Sequence, residues 1–229
     1  MSWLFHGQPM ALVEIREYRE GDGPAVRELF TLGMSEHVPT SFVHVLKQPL
    51  SQMLLVCTFC ALMASSKSFL LPILAVTLLL AAARQLLVHK FNGYIDACCG
   101  ADLAHIGDTY MSPPDACFWV AECEGRLVGT VSCLPNPSYP DCLELKRMSV
   151  RRGYRRTGVA KKLCRTVAEF TRARGYAGVV LVTSVVQTDA QKLYEGLGYS
   201  KVREFVEADI AAKLMNFSLF EYRLDLVQK

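Results

Sequence analysis

The sequence predicts an α+β fold with a mixed, mostly antiparallel sheet, interrupted by an inserted hydrophobic helical hairpin. Two observations carry this. Short strand patterns and helical periodicity share the C-terminal half, with several strands following one another through turns. Leu50–Ala83 is apolar almost without interruption and stands apart from everything around it. A length of 229 residues suits one domain over 1–229, with the membrane-associated insert at 46–90 inside it.

Taken in order, Ala11–Tyr18 (ALVEIREY) alternates as a strand, with Val13, Ile15 and Tyr18 as its apolar members. The insert follows. Ser65-Ser66-Lys67-Ser68 divides it into arms of about 15 residues, shorter than the ~20 that cross a bilayer squarely. As one unbroken helix it would run about 51 Å, against a hydrocarbon core of ~30 Å. A single tilted span would bury Lys67, which is costly. A hairpin would carry the Ser-Lys tip to a polar surface. If the strand before the insert shares a sheet with those after it, both ends of the insert lie on one membrane face, which favours the hairpin. Lys47, Arg84, His89 and Lys90 flank it and suit a cytosolic face. The soluble alternative is a pair of buried core helices.

Asp102–Tyr110 reads as a helix with Asp102 as N-cap, ended by Pro113-Pro114. Cys117–Ala121 is a strand, Glu124-Gly125 a hairpin turn, and Arg126–Leu134 the next strand. A proline-rich loop leads to the strand Leu143–Val150. The helix Gly158–Arg172 follows and stops at Gly175. Then come the strand Gly178–Val182, the helix Thr188–Leu197 stopped by Gly198, and the strands Ser200–Val206 and Leu214–Leu226.

Composition excludes some functions. A net charge of +3, with no aromatic residues among basic clusters, argues against a nucleic-acid partner. Nine cysteines are scattered and odd in number. Cys57 and Cys60 form a C-x2-C with no second pair at zinc spacing, so reduced and mostly buried thiols are expected, with no metal. Asn216-Phe217-Ser218 fits the glycosylation pattern but falls in an expected strand, which favours an accidental match.

The chemically informative stretch is Arg151–Leu163, RRGYRRTGVAKKL, between a strand and a helix. Arg155-Arg156-Thr157-Gly158-Val159-Ala160 has the form R-x-x-G-x-A, with small residues where backbone must approach a ligand. The helix start offers N–H groups and the positive dipole end, a setting that holds a pyrophosphate. Arg151, Arg152, Lys161 and Lys162 add positive charge. The spacing is neither that of a P-loop nor of a Rossmann fingerprint. Taken alone, the six residues also fit a solvated basic turn.

RRTGVA resembles the acyl-CoA pyrophosphate loop, Q/R-x-x-G-x-G/A, of GNAT acetyltransferases. Residues 187–199, QTDAQKLYEGLGY, resemble their N-x-x-A-x-x-L-Y-E-x-x-G-F segment, with Gln187 for the usual Asn and Tyr199 for the usual Phe. GMSEHVPTSF (33–42), the apolar insert and CFWVA (117–121) are similar to camello-type, N-acetyltransferase 8-like enzymes of the endoplasmic reticulum membrane. The resemblance runs from about residue 11 to 226. It implies direct transfer of an acetyl group from acetyl-CoA to a small-molecule amine. Members of that group act on cysteine S-conjugates, on aspartate, or on lysines of secretory-pathway proteins. The first is the expectation here, and a catalytically silent membrane scaffold with the same fold is the reading from another class.

By the same resemblance Tyr194 is the acid for the departing thiolate, its alternative being a core aromatic. Glu144 is the base, its alternative being a strand carboxylate paired with Lys146 or Arg147. Met148, Ser149 and Val150 would offer backbone to pantetheine. Arg155, Arg156, Thr157, Gly158, Val159 and Ala160 would hold the pyrophosphate, and Gln187 could bond pantetheine. By chemistry alone, His37 and His105 are further candidates, and Arg147 could bind an acceptor carboxylate or be a surface charge.

Overall fold

The computed structural model describes residues 13–66, 68–206, 212–213 and 215–226. Met1–Met10, Lys67 at the expected hairpin tip and Leu214 lie outside them, as does the start of the first expected strand. Among the described residues seven strands are ordered β1-β2-β3-β4-β5-β7-β6. They are β1 Glu14–Glu17, β2 Cys117–Cys123, β3 Arg126–Pro135, β4 Cys142–Val150, β5 Gly178–Ser184, β6 Ser200–Val206 and β7 Ser218–Asp225. Among the described residues they are accompanied by the α-helices α1 Gly23–Ser35, α2 His37–Leu46, α3 Pro49–Ser66, α4 Leu70–Gly100, α5 Val159–Ala173 and α6 Thr188–Glu195. The chain forms two compact units, one of residues 1–30, 105–179 and 226–229, the other of 31–104 and 180–225.

In the first unit β1 to β4 form an antiparallel run, with Ile15 opposite Ala121, Val120 opposite Thr130 and Ser132 opposite Lys146. Arg16 clamps the edge. Its guanidinium donates to Glu122 on β2 at 2.7 Å and to Asp22 after β1 at 2.7 Å. That hydrogen bond holds the Asp22 carboxyl below its ordinary range. α5 turns Val159, Leu163 and Val167 into the core. Gly129 on β3 makes room for it, because a Cβ there would meet Leu163 at 3.1 Å and Val159 at 3.2 Å. Trp119 and Phe170 meet edge to face at 5.1 Å, as do Tyr110 and Phe118 at 5.5 Å. Cys117, Cys133 and Cys164 lie in this core, and burial pushes each thiol up to about 12.

The second unit holds the insert. α3 and α4 pack against each other, and both are long and apolar enough to cross a membrane. Ser66 folds its hydroxyl back to the Leu62 carbonyl at 2.7 Å, and the Ser68 hydroxyl accepts from the Leu70 N–H at 3.3 Å. These serines end one helix and start the next. Not one α3 residue is buried, and Met53, Leu54, Val56, Leu70 and Leu78 are each at least 58% exposed. The buried-core-helix alternative fails on that exposure.

Several boundaries differ from expectation. α4 continues to Gly100, well past the apolar run, because Arg84, Gln85 and Lys90 end the hydrophobicity without breaking the helix. The expected Asp102–Tyr110 helix is instead a turn followed by a five-residue π-type segment, Gly107–Met111. α1 and α2 fill the stretch between β1 and the insert, for which the sequence reading assigned no helices. Asn216 sits in an exposed turn at φ 48, a left-handed conformation asparagine tolerates, so the terminal strand starts only at Ser218.

Candidate active site

In the first unit, β4 delivers the chain to the basic loop. Arg151 N–H bonds the Val128 carbonyl at 2.8 Å, and a short 3-10 turn over Arg152–Tyr154 follows. Arg155 Nε donates back to the Val150 carbonyl at 2.9 Å, and the Thr157 hydroxyl closes on the Tyr154 carbonyl at 2.6 Å. Arg156 at φ 65 and Gly158 at φ 90 then reverse the chain into α5. Nothing lies within 4 Å of where a Gly158 Cβ would stand. The first intrahelical bond runs from Lys162 N–H to the Gly158 carbonyl, so the N–H groups of Val159, Ala160 and Lys161 lie outside the helix's own ladder. Small residues, free space, helix-start donors and exposed Arg155, Arg156, Lys161 and Lys162 fit a pyrophosphate. Arg151 is committed elsewhere: it reaches Glu28 at 3.1 Å and the Leu127 carbonyl at 3.3 Å, and so buttresses the loop.

On β4, Glu144 accepts from the Asn136 amide at 3.3 Å and faces Lys146 Nζ at 3.6 Å. The pairing with Lys146 considered for it is therefore present, and it leaves the carboxylate partly exposed with the ammonium of Lys146 beside it. Met148 and Ser149 are half-buried and Val150 is buried. The Ser149 hydroxyl donates to the Leu29 carbonyl of α1 at 3.3 Å.

In the second unit, Gln187 caps the β5–α6 junction. Its Oε1 accepts from Thr183 Oγ1 at 2.9 Å, Ser184 N–H at 3.0 Å and Ser184 Oγ at 3.2 Å. That orients its Nε2 as the donor to His37 Nε2 of α2, 3.1 Å away. Much of the Gln187 amide is thus employed within the chain, and its link to His37 had no signal in the sequence. Further along, Tyr194 is buried between Tyr199 and Tyr222, with ring centroids at 5.6 Å and 6.2 Å. The Tyr222 hydroxyl donates to Glu195 at 2.8 Å, and burial followed by that bond pushes it up to about 12. Gly198 at φ 91 ends the segment and lets Tyr199 N–H return to the Tyr194 carbonyl at 3.0 Å. His105 lies exposed after α4 in the first unit. No cluster of three metal-ligating side chains occurs among the described residues.

A mixed sheet, a strand running into a basic glycine loop and a helix opening from it define a CoA-dependent acyltransferase. The family model described as "Acetyltransferase (GNAT) family" matches residues 80–199. N-acetyltransferase 8 of Rattus norvegicus is 39% identical over 216 residues, covering 93% of this chain and 97% of that protein. The Xenopus tropicalis protein named "Probable N-acetyltransferase camello" is 35% identical over 217 residues, covering 95% and 99%. A GNAT-family acetyltransferase structure from Staphylococcus aureus superposes with a TM-score of 0.55 at 17% identity, covering 94% of this chain and 100% of that one. An acetyltransferase of Salmonella typhimurium, solved with its cofactor acetyl-CoA, gives 0.52 at 13% identity and 95% of each chain. The chain belongs to the GNAT acetyltransferase family, in the group of N-acetyltransferase 8 and camello-like proteins.

Proposed function

We propose that this enzyme is an N-acetyltransferase of the endoplasmic reticulum membrane that acetylates the α-amine of a small amino-acid derivative, a cysteine S-conjugate first among them. Acetyl-CoA supplies the acetyl group as a thioester. Arg155 to Ala160 hold its pyrophosphate, the backbone of Met148, Ser149 and Val150 its pantetheine arm, and Gln187 contributes from the β5–α6 junction. Glu144 takes the proton that the amine gives up, and Tyr194 gives a proton to the departing sulfur. One C–N bond forms as one C–S bond breaks, and both protons are accounted for.

The membrane part rests on a single observation of the second unit: α3 and α4 are long and apolar enough to cross a bilayer, and much of their apolar surface is exposed. The first unit supports the hairpin over a single span. β1 precedes the insert, β2 follows it, and the two are hydrogen-bonded, so the insert leaves and returns on one side. Lys47, Arg84, His89 and Lys90 suit a cytosolic side. A membrane-seated enzyme suits amphipathic acceptors such as cysteine S-conjugates.

The observation that carries the chemistry is the loop at Gly158, shaped and charged for a pyrophosphate. The test is acetyl transfer by detergent-purified protein to S-benzyl-cysteine, aspartate and a lysine peptide, read by mass spectrometry. Turnover of S-benzyl-cysteine above the other two is expected. Preference for aspartate or for the peptide moves the substrate, and tight CoA binding without turnover on any acceptor leaves the silent-scaffold reading.

A further inference from the structure

The middle of β4 breaks the regular ladder with β3. Thr130 stands opposite Ser149 and Ser132 opposite Lys146, so one residue of β3 faces two of β4, Arg147 and Met148. Arg147 lies at φ 54. Two buried hydroxyls take up the carbonyls that the bulge displaces: Thr130 Oγ1 donates to Arg147 at 2.8 Å, and Ser132 Oγ to Lys146 at 3.2 Å. Glycine would adopt this backbone freely, whereas a side chain is strained there. Strain of this kind persists where the side chain it places has work to do.

The bulge decides which way that side chain goes. Gly129 faces α5, so alternation along β3 puts Thr130, Ser132 and Leu134 on the opposite face. Their partners Ser149, Lys146 and Glu144 share that face. Arg147, two residues before Ser149, joins them, and two successive cations come to the same side. The contacts agree: Ser149 bonds the α1 backbone, and the Arg147 guanidinium lies over the ring of Phe30, also on α1, at 5.1 Å. Stacking uses the face of a guanidinium and steadies it, whereas recognition of a carboxylate uses its N–H edge.

An α-amino acid presents its amine and its carboxylate on one carbon. A site for it needs a proton-accepting group and a forked cation on one surface, and β4 offers Glu144 and Arg147 three residues apart on one face. We propose that Arg147 is the acceptor-specificity residue, binding the free α-carboxylate. The acceptor class is then the free α-amino acid or its side-chain conjugate, and excludes both simple amines and lysines within a chain. This rests on the acetyltransferase reading above.

The experiment compares kcat/KM for S-benzyl-cysteine with S-benzyl-cysteamine, and for aspartate with β-alanine, each pair differing by the α-carboxylate. Wild type should favour the carboxylated member of the pair it uses by roughly 10- to 100-fold, the range of a charge-assisted forked bond. Arg147→Met should bring that ratio to within a few-fold of one, and Arg147→Lys should fall between. Arg147→Gly keeps the left-handed backbone accessible, so it should melt no lower than wild type yet lose the preference, which separates recognition from folding. Binding of CoA to each variant should stay within about twofold of wild type, since the loop is untouched. Turnover without preference in wild type, or preference retained in Arg147→Gly, overturns the proposal. Turnover of a lysine peptide alone overturns it while the enzyme reading stands; no turnover on any acceptor sinks that reading first.

Discussion

Tyr194 and Glu144 differ in how far their side chains are committed elsewhere, and that difference shapes what their removal should do. The Tyr194 ring is buried and packed against two other tyrosines, so Tyr194→Phe keeps the packing and deletes only the hydroxyl. If that hydroxyl protonates the leaving sulfur, kcat should fall by about 10²- to 10⁴-fold, the usual worth of a positioned acid. The melting temperature and the affinity for CoA should hold. A stopped assay by mass spectrometry beside a thermal melt distinguishes the two parts, and unchanged kcat would return Tyr194 to the role of a core aromatic. Glu144 stands beside Lys146, and Glu144→Gln should lower kcat while leaving CoA binding intact. A variant as fast as wild type would hand the proton to water.

The elements divide by where their surfaces point. α3 carries Cys57 and Cys60 exposed on apolar ground, whereas Cys117, Cys133 and Cys164 are buried with thiols held at about 12, almost wholly protonated at neutral pH. In sealed vesicles a charged maleimide should label none of these five. Detergent should open Cys57 and Cys60, and only denaturant the other three, as peptide mapping would show. Labelling of Cys57 in intact vesicles would place α3 in water. The same contrast explains what could be read beforehand. The strands and α5 announce themselves through periodicity, because each buries one face, and the insert through its nearly unbroken apolar composition. Gly158 and the Tyr194 segment are legible because backbone approach and chain reversal restrict residue type. α1 opens with Gly23-Pro24, and α2 carries Pro39, an unpromising start tolerated in a first turn and overridden by packing. The end of α4 lies beyond the apolar run because charge ends such a run without ending a helix. The Arg147 bulge and the Gln187–His37 bond were invisible: the first places a residue type against its preference, and the second joins positions 150 residues apart in the chain.

At the scale of the whole molecule, the proposed membrane hairpin makes a prediction through the hydrogen bonds of the first unit. β1 pairs with β2 across the entire insert, and Leu226 N–H bonds the Ala177 carbonyl at 2.8 Å, so chain before and after the insert belongs to one folded body. A body closed by such pairing cannot be divided by a bilayer, since unpaired strand edges in hydrocarbon cost several kcal/mol for each backbone group. Tags placed ahead of β1 and after Leu226 must therefore share one side. With the flanking cations on the cytosol, protease added to intact microsomes should remove both tags together, and Asn216 should carry no glycan because its exposed turn never meets the lumen. Protection of both tags, with a mobility shift on deglycosylation, would keep the hairpin and reverse its orientation. Loss of one tag alone would require an odd number of crossings, and with it the β1–β2 pairing would have to be wrong.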